Sequence, residues 1–304
     1  MFPRGSHCEG LEVEAVRDRV LLADDRVMRN MLEEERKTDK SDYCGGFQTE
    51  IKPHMRKIVV DWMLEVCQDQ QCQPQVFHLS LNYMDRFLSN KNLSKSSFQA
   101  MAAGCLLLAS KFSEVRPLTT EKLSLYTDSS VSSSELKEWE IKILNVLHWE
   151  LTAVTAQDFL DHFMPNLSST KDQTAARMRC RSEALAAAAV AEYKFLLVQP
   201  SLLAAACLAA ACQGLGQEEL LLGLLPASIL GQAGQICVLV DHLTGLNSNV
   251  ASTSSSCSSL TSAGKLPPFH TVAKTAPYSS YSQETSSYLQ YDYLSLASST
   301  VVGG

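Results

Sequence analysis

The sequence predicts an all-α protein, and three observations support this fold class. Aliphatic and small residues are abundant, whereas aromatic residues make up only 7% of the chain, which favours helices over strands. Valine and isoleucine are not concentrated in the alternating runs that are typical of half-buried strands. Apolar residues recur instead three, four, seven and eight positions apart, a spacing that places them on one face of a helix.

The length of the chain allows more than one domain. Its 304 residues exceed the roughly 100–200 of a usual domain, so we expect two domains or one domain with tails. Changes in composition, together with the residues that begin and end predicted helices, divide the sequence into an N-terminal segment, two helical units and a tail. These parts occupy residues 1–53, 54–152, 153–246 and 247–304.

The N-terminal segment is polar but contains one helical pattern. In residues 24–37, Val27, Met28, Met31 and Leu32 form a narrow apolar face, and acidic residues occupy the early turns, where they favour a helix N-terminus. A helix with so narrow a face is marginal on its own. We therefore expect a short helix that docks on the body of the protein.

The first helical unit contains five predicted helices. The first carries a complete apolar stripe from Met55 to Val66, and the second opens at Pro74, a residue that favours the first helical turn. The predicted helices cover residues 54–67, 74–89, 94–112, 119–128 and 133–147.

Polar and small residues mark positions within these helices. Ser94 or Ser96 is the candidate N-cap of the third helix, and the serines at 132–134 are candidate caps of the fifth. The run from Ala102 to Gly104 would let a neighbouring helix approach the third closely.

The fifth helix contains a carboxylate in an apolar stripe. Glu140 occupies the i+4 position of this face, and burying an ionised group without a partner costs several kcal/mol. Either Glu140 lies at the edge of the stripe and reaches water, or another group binds it. The apolar members of the face are Leu136, Trp139, Ile143, Leu144 and Leu147.

The second helical unit again contains about five predicted helices. A long Ala-rich segment at 172–198 precedes the apolar stretch at 200–216, which is shorter than the roughly 20 residues of a membrane helix. We expect this stretch to form a helix that is buried on all sides. The other predicted helices cover residues 155–164, 217–225 and 226–246.

The tail differs in composition from the rest of the chain. Residues 247–304 are dominated by serine and threonine and carry almost no charge, so this segment cannot bury a core. We predict that it is disordered.

Charge and motif content argue against several classes of function. A net charge of −7 and a pI near 5.5 disfavour nucleic-acid binding, which needs clustered Lys and Arg. The sequence has no nucleotide-binding, hydrolase or zinc-protease motif. We therefore expect a non-catalytic protein without a cofactor, whose function lies in its surfaces.

The cysteines and histidines do not form a metal-binding pattern. The ten cysteines include no CxxC pair, and Cys67 and Cys72 lack a second pair of ligands for zinc. His148, beside Trp149, is expected to end the fifth helix. The N-terminus has no apolar signal region, so we expect reduced thiols in an intracellular protein and no membrane segment.

Several stretches of the sequence resemble the cyclin box of D-type cyclins. The match is dense from residue 51 to about 165, and PSLLAAACLAAACQGLG at 200–216 resembles the corresponding helix of a second cyclin box. The resemblance implies two tandem five-helix cyclin boxes. The stretches of the first box are MRKIVVDWMLEVCQDQQC, VFHLSLNYMDRFLS, LLLASKFSEVRPLTTEKLSLYTD and WEIKILNVLHWELTAVTAQDFLDHF.

The resemblance implies a regulatory subunit found in nucleus and cytoplasm. Such a subunit binds and activates cyclin-dependent kinase 4 or 6, directs it to retinoblastoma-family proteins, promotes G1/S progression and is bound by kinase inhibitor proteins. In cyclins, a Lys of the LASK motif and a Glu of the fifth helix together contact the kinase near its αC helix. The matching residues here are Lys111 and Glu140. The alternative for this pair is an edge salt bridge worth about 0–1 kcal/mol.

The resemblance also implies a docking groove on the first helix. In the family, this exposed groove captures Arg-x-Leu segments of substrates and inhibitors. Periodicity alone favours a core role for the same face, so we expect Val59, Met63 and Val66 to point inward while Met55, Ile58 and Trp62 lie towards the rim. The matching groove residues are Met55, Ile58, Trp62, Glu65, Phe98 and Gln99.

The sequence departs from the family at both ends. The N-terminal Leu-x-Cys-x-Glu motif, used to bind the retinoblastoma protein, is replaced by CEGLE at 8–12, in which only Glu12 fits. None of the ten prolines follows a Ser or Thr, so the usual Thr-Pro phosphorylation site is absent. Two other interpretations stay open. One is a cyclin-fold transcription factor that binds DNA, and the other is a divergent cyclin that binds kinase without activating it.

Overall fold

The structure is a computed structural model that describes residues 18–22, 24–37, 40–164 and 173–253. All regular secondary structure in these ranges is helical, which confirms the predicted fold class. The CEGLE motif and the tail beyond Thr253 lie outside the described residues.

In the described part of the N-terminal segment, two helices precede the first unit. Helix α1, Arg19–Leu22, is a single turn that the sequence pattern did not predict, and α2, Asp25–Glu35, corresponds to the helix predicted at 24–37. Met28 of α2 packs into the core of the second unit. The buried carboxylate of Glu35 accepts bonds of 2.9 and 2.8 Å from the backbone N–H and the hydroxyl of Ser201. The N-terminal helix therefore lies against the second unit.

Five helices form the first unit, and α5 is its centre. Its residues from Phe98 to Ser110 are all buried, because small and apolar side chains follow one another along it. Pro53 and Pro74 stand in the first turns of α3 and α4, where the missing N–H costs nothing. The helices are α3 Pro53–Asp69, α4 Pro74–Asn90, α5 Phe98–Ser113, α6 Thr120–Tyr126 and α7 Ser133–Val146.

The capping prediction is wrong for α5 and correct for α7. A 3-10 turn at Lys95–Ser97 precedes α5, so neither Ser94 nor Ser96 caps this helix. The Ser132 hydroxyl accepts the backbone N–H of Glu135 at 3.2 Å and caps α7.

The second unit surrounds α10, which is buried along most of its length, as predicted. The segments α11 and α12 are single turns, and a 3-10 turn at Tyr193–Phe195 follows α9. The helices are α8 Ala156–Phe163, α9 Gln173–Ala191, α10 Pro200–Gln213, α11 Leu221–Leu224, α12 Ala227–Leu230 and α13 Ala233–Thr253.

The prediction of a single helix over residues 226–246 is wrong. The backbone N–H of Gly231 bonds to the Ala227 carbonyl at 3.1 Å and closes α12, and a turn at Gly231 and Gln232 separates α12 from α13. Helix α13 then continues to Thr253, past the position at which the sequence predicts the start of the tail.

A buried ion pair joins the two units. The Arg56 guanidinium donates two bonds to the Asp85 carboxylate, at 2.9 and 2.8 Å, and two more to the carbonyls of Ala191 and Val190 at the end of α9, at 2.9 and 3.2 Å. The Tyr43 hydroxyl donates to Asp85 at 2.9 Å. Burial alone would lower the pKa of Arg56, but the neighbouring carboxylate outweighs burial and raises it.

A small cavity lies between the units beside this ion pair. Its volume is about 40 Å³, and Lys40, His78, Asn82 and Leu81 are among its lining residues. His78 is buried, and its Nδ1 has no hydrogen-bond partner among the described residues. Burial, with a smaller contribution from Lys40, lowers the pKa of His78 to about 4.

We expect Asp85→Asn to destabilise the fold strongly. The substitution leaves the Arg56 guanidinium, which is 1% exposed, without a counter-charge, and breaking a buried pair in this way costs about 3–5 kcal/mol. The measurement is the free energy of unfolding from urea denaturation. Lys37→Ala is the control, because its ion pair with Glu34 is exposed and should contribute at most about 1 kcal/mol. Equal losses for both variants would contradict this role.

We expect His78→Leu to flatten the acid dependence of stability. The native state holds His78 neutral down to about pH 4, while the unfolded chain takes up a proton below about pH 6.5. Stability is therefore lost as the pH falls from 6.5 towards 4, by about 2 kcal/mol at pH 5. Urea denaturation at pH 7.5 and pH 5 should show this extra loss in the parent chain and not in H78L. Leu81→Ala, at the same cavity, should weaken the chain without removing the pH dependence.

Candidate functional site

Lys111 and Glu140 form an ion pair on one side of the first unit. Lys111 lies in the last turn of α5 and Glu140 in α7. The Lys111 Nζ lies 2.6 and 2.9 Å from the two carboxylate oxygens of Glu140. The Lys111 side chain is 46% exposed and that of Glu140 is 15% exposed. Glu140 is thus both at the edge of its apolar stripe and bound by a partner.

Gly104 sets the separation between the two helices that carry this pair. A Cβ atom at position 104 would lie 2.8 Å from Cδ1 of Ile143 and 3.1 Å from Cβ of Trp139. Both distances are too short for a methyl group in a packed interior, so α7 lies directly on the backbone of α5. The close approach predicted from the small residues of α5 is confirmed. Trp139 and Ile143 are buried on either side of Glu140 and hold its backbone in place.

The pair contributes little to the stability of the fold. With nearly half of the Lys111 side chain in water, its attraction to Glu140 is screened and is worth about 0–1 kcal/mol. An ammonium group has three donors, and within the described ranges only Glu140 accepts from this one. The third donor is available to an external acceptor.

Exposed apolar side chains are the sequence neighbours of both members of the pair. Phe112 follows Lys111 and is 53% exposed, and Ile141 follows Glu140 and is 51% exposed. Large apolar side chains beside a polar group are typical of protein-binding surfaces. We call Lys111, Phe112, Glu140 and Ile141 the ion-pair surface. Ile141 could have been found from sequence, because it falls outside the apolar stripe of α7.

The six predicted groove residues differ in their exposure to solvent. Glu65 is exposed, and Met55 and Ile58 are partly buried. The Nε1–H of Trp62 donates to the Tyr126 carbonyl at 3.3 Å. The buried members are Trp62, Phe98 and Gln99, at 8%, 1% and 6% exposure.

The expectation that the groove residues are exposed is therefore wrong for Trp62, Phe98 and Gln99, while the docking role of the six stays a prediction. Phe98 and Gln99 begin α5, the central helix of the unit, and this position turns them inward. Trp62 was expected at the rim, but its ring packs into the core. Val59, Met63 and Val66 are fully buried, as predicted.

The described residues do not provide a metal-binding cluster. They include no group of three or more His, Cys, Asp or Glu side chains arranged to hold a metal ion. None of their helices combines the length and apolar character of a membrane span. After α7, His148 and Trp149 adopt left-handed backbone angles, with φ of 52° and 63°, so His148 follows the end of the helix as predicted.

Comparisons with known proteins identify both helical units. Residues 26–152 match the family described as Cyclin, N-terminal domain, and residues 154–261 match Cyclin, C-terminal domain. These matches confirm the prediction of two tandem helical units.

Similar proteins extend over most of the chain. The G1/S-specific cyclin-D3 of Homo sapiens is 43% identical over 69% of this chain and 72% of its own length. The G1/S-specific cyclin-D1 of Xenopus laevis is 45% identical over 65% of this chain and 68% of its own length. The crystal structure of a viral cyclin from herpesvirus saimiri superposes with a TM-score of 0.61 at 25% identity and covers 72% of this chain and 97% of that chain.

We expect Gly104→Ala to destabilise the α5 and α7 contact. The added methyl group would clash with Ile143 and Trp139, and overpacking of this kind costs about 1–3 kcal/mol. Gly234→Ala in α13 is the matched control, because its Cβ would meet nothing within 4 Å and Ala is the better helix former by about 1 kcal/mol. Both variants gain this helix propensity, so urea denaturation should show G104A to be less stable than G234A by about the cost of the clash. A G104A chain as stable as G234A would refute the close-packing role.

Proposed function

The chain belongs to the family of D-type cyclins, and from this premise we propose that it binds and activates cyclin-dependent kinase 4 or 6. It is a G1/S cyclin, a regulatory subunit that does not itself catalyse a reaction. In the proposed complex it directs the kinase to retinoblastoma-family proteins, acts in nucleus and cytoplasm, and is itself bound by kinase inhibitor proteins.

The Lys111–Glu140 pair is the observation that carries this proposal. The Lys111 nitrogen lies 2.6 and 2.9 Å from the two Glu140 oxygens, yet the Lys111 side chain remains nearly half exposed, so the pair contributes little to folding. Two charges held on packed helices can instead share bonds with the backbone of a partner and set the register of docking. The residues match the pair that contacts the kinase in other cyclins.

The packing of α5 and α7 suits this role. Because α5 is buried over most of its length and Gly104 holds α7 against it, both side chains are presented on rigid supports. A preformed surface loses little conformational freedom when it binds. Phe112 and Ile141, the sequence neighbours of the pair, supply exposed apolar area, and removing that area from water favours binding.

Docking of such a surface on the αC helix of a kinase would favour the active state. A protein kinase transfers phosphate only when its β3 Lys and αC Glu are paired. A rigid body that binds better when αC is held inward shifts the equilibrium towards that state. The cyclin does not need to touch ATP.

Substrate and inhibitor docking on α3 is a further part of the proposal. Met55, Ile58 and Glu65 keep accessible surface and can contact an Arg-x-Leu segment directly, with Glu65 facing its Arg. The buried Trp62, Phe98 and Gln99 would form the floor beneath them. This arrangement lets the body of the cyclin recruit a substrate without an N-terminal Leu-x-Cys-x-Glu motif.

We expect the double variant Lys111→Ala with Glu140→Ala to fold normally and to lose the kinase. The pair adds at most about 1 kcal/mol to stability, so thermal unfolding should change little, whereas co-purification with cyclin-dependent kinase 4 or 6 should be abolished. The control is Lys142→Ala with Glu138→Ala, which removes an exposed pair from the same helix, α7, and should bind like the parent chain.

Two further measurements sharpen this test. The double variant Lys111→Glu with Glu140→Lys retains an internal ion pair but exchanges the positions of the positive and negative charges that a kinase would contact. Kinase binding should therefore still be lost. Normal pull-down by either Lys111 variant would reject the site. Phosphorylation of a retinoblastoma fragment by purified kinase with the parent chain tests activation, and binding without activity would identify a decoy instead.

A further inference from the structure

The C-terminal end of α3 forms a turn that brings two cysteines together. Gln71 adopts a left-handed conformation with φ of 53°. The backbone N–H of Cys72 bonds to the Cys67 carbonyl at 2.9 Å, and that of Gln71 bonds to the Gln68 carbonyl at 3.2 Å. These two bonds define a Schellman motif, in which the side chains at the positions of residues 67 and 72 meet each other.

The usual occupants of these two positions are apolar side chains, but here both are thiols. The interaction between the two neighbouring thiols raises the pKa of Cys67 and lowers that of Cys72. A disulfide needs Cα atoms about 4.4–6.8 Å apart, and a direct backbone bond between the two residues keeps them close. The helix end therefore holds the two cysteines as near neighbours, which is the first requirement for a disulfide.

The two thiols differ in access and in charge environment. Cys67 is 5% exposed, whereas Cys72 is half-buried and reachable from solvent. The positive charge of Lys122 also favours the Cys72 thiolate, although burial and Glu114 oppose it. A reactive thiol is partly exposed and near a cation, so Cys72 is the nucleophile and Cys67 the resolving thiol.

We propose that Cys67 and Cys72 form an oxidation site, which a hydroperoxide converts into an intramolecular disulfide. The Cys72 sulfur attacks one oxygen of the hydroperoxide and the O–O bond breaks. The alcohol leaves with the thiol proton, and Cys72 becomes a sulfenic acid. The Cys67 sulfur then attacks the Cys72 sulfur, and the hydroxyl group leaves as water with the Cys67 proton. Two thiols are thus oxidised by two electrons, and one hydroperoxide is reduced to an alcohol and water.

Within the described residues, the other buried cysteines lack this arrangement. Cys105 and Cys207 are fully buried in α5 and α10, and burial raises the pKa of both thiols. The Cys105 thiol lies against the sulfur of Met101 at 3.6 Å, which is a thioether and cannot resolve a sulfenic acid. The inference does not depend on kinase binding.

The disulfide would tie the end of α3 to the start of α4 beside the ion-pair surface. The backbone N–H of Gln73, the residue after Cys72, bonds to the Glu114 carboxylate at 2.7 Å. Glu114 directly follows α5, three positions after Lys111. The oxidised turn is therefore in direct contact with the segment that supports the ion-pair surface.

The test uses one tryptic peptide of the full-length chain. Cleavage after Lys57 and Arg86 releases residues 58–86, which contain Cys67, Cys72 and no other cysteine. The chain is exposed to hydrogen peroxide, denatured with N-ethylmaleimide to label free thiols, and digested without reductant. The expected product is an unlabelled peptide about 2 Da lighter than the dithiol form, which dithiothreitol returns to that form. Glutathione in the same reaction is the positive control, because its oxidation shows that the peroxide is active.

Two outcomes would overturn the proposal. One is a peptide that carries two maleimide labels while the glutathione is fully oxidised. The other is a sulfinic acid at Cys72 with a labelled Cys67, which would show that the second thiol does not resolve the first. Both are read on the parent chain, so neither depends on the folding of a variant.

Single substitutions assign the two roles. In Cys67→Ser, Cys72 should accumulate as a sulfenic acid that dimedone traps, because no resolving thiol remains. In Cys72→Ser, the buried Cys67 should keep its maleimide label. Cys44→Ser is the control and should leave the disulfide unchanged. Loss of the Cys67 label in C72S at the parental rate would overturn the assignment of Cys72 as nucleophile.

Discussion

The buried ion pair of Arg56 and Asp85 is the interaction on which the rest of the fold depends. Removing two charges from water costs several kcal/mol each, and the cost is offset only because every side of the pair is bonded. Arg56 contacts the carboxylate twice and two carbonyls at the end of α9, while Tyr43 adds a bond to Asp85. One guanidinium thereby fixes α3, α4, the N-terminal segment and the second unit in a single arrangement.

Helix packing links the buried ion pair to the ion-pair surface. With α3 and α4 held by the buried pair, α5 is enclosed on all sides, and the absence of a side chain at Gly104 brings α7 onto it. The positions of Lys111 and Glu140 follow from this contact and not from their mutual attraction. The geometry of the ion-pair surface is therefore a consequence of the core, and the exposed Lys111 ammonium remains accessible to other groups.

The sequence predicts helices better than it predicts which charges are buried. Pro74 and Ser132 mark helix starts correctly because capping is local. Arg56 and Asp85 lie in stretches that read as ordinary amphipathic helices, and only their meeting across α3 and α4 buries them. The same limit explains Phe98, whose burial depends on the central position of α5. Periodicity does not pair Lys111 with Glu140 either, because the two residues lie 29 positions apart on different helices; only the family resemblance suggests this pair.

Two ion pairs in this chain each place a carboxylate on one helix against a cation on another helix. The two pairs differ in what they contribute. Asp85 faces a guanidinium that is 1% exposed, and Glu140 faces an ammonium that is 46% exposed. In the first case, loss of a partner leaves a buried charge that nothing can solvate, so the pair holds the architecture. In the second, water or another protein can replace either partner at little cost. The exposure of the cation, more than the distance between the charges, therefore decides whether such a pair stabilises the fold or remains available for binding.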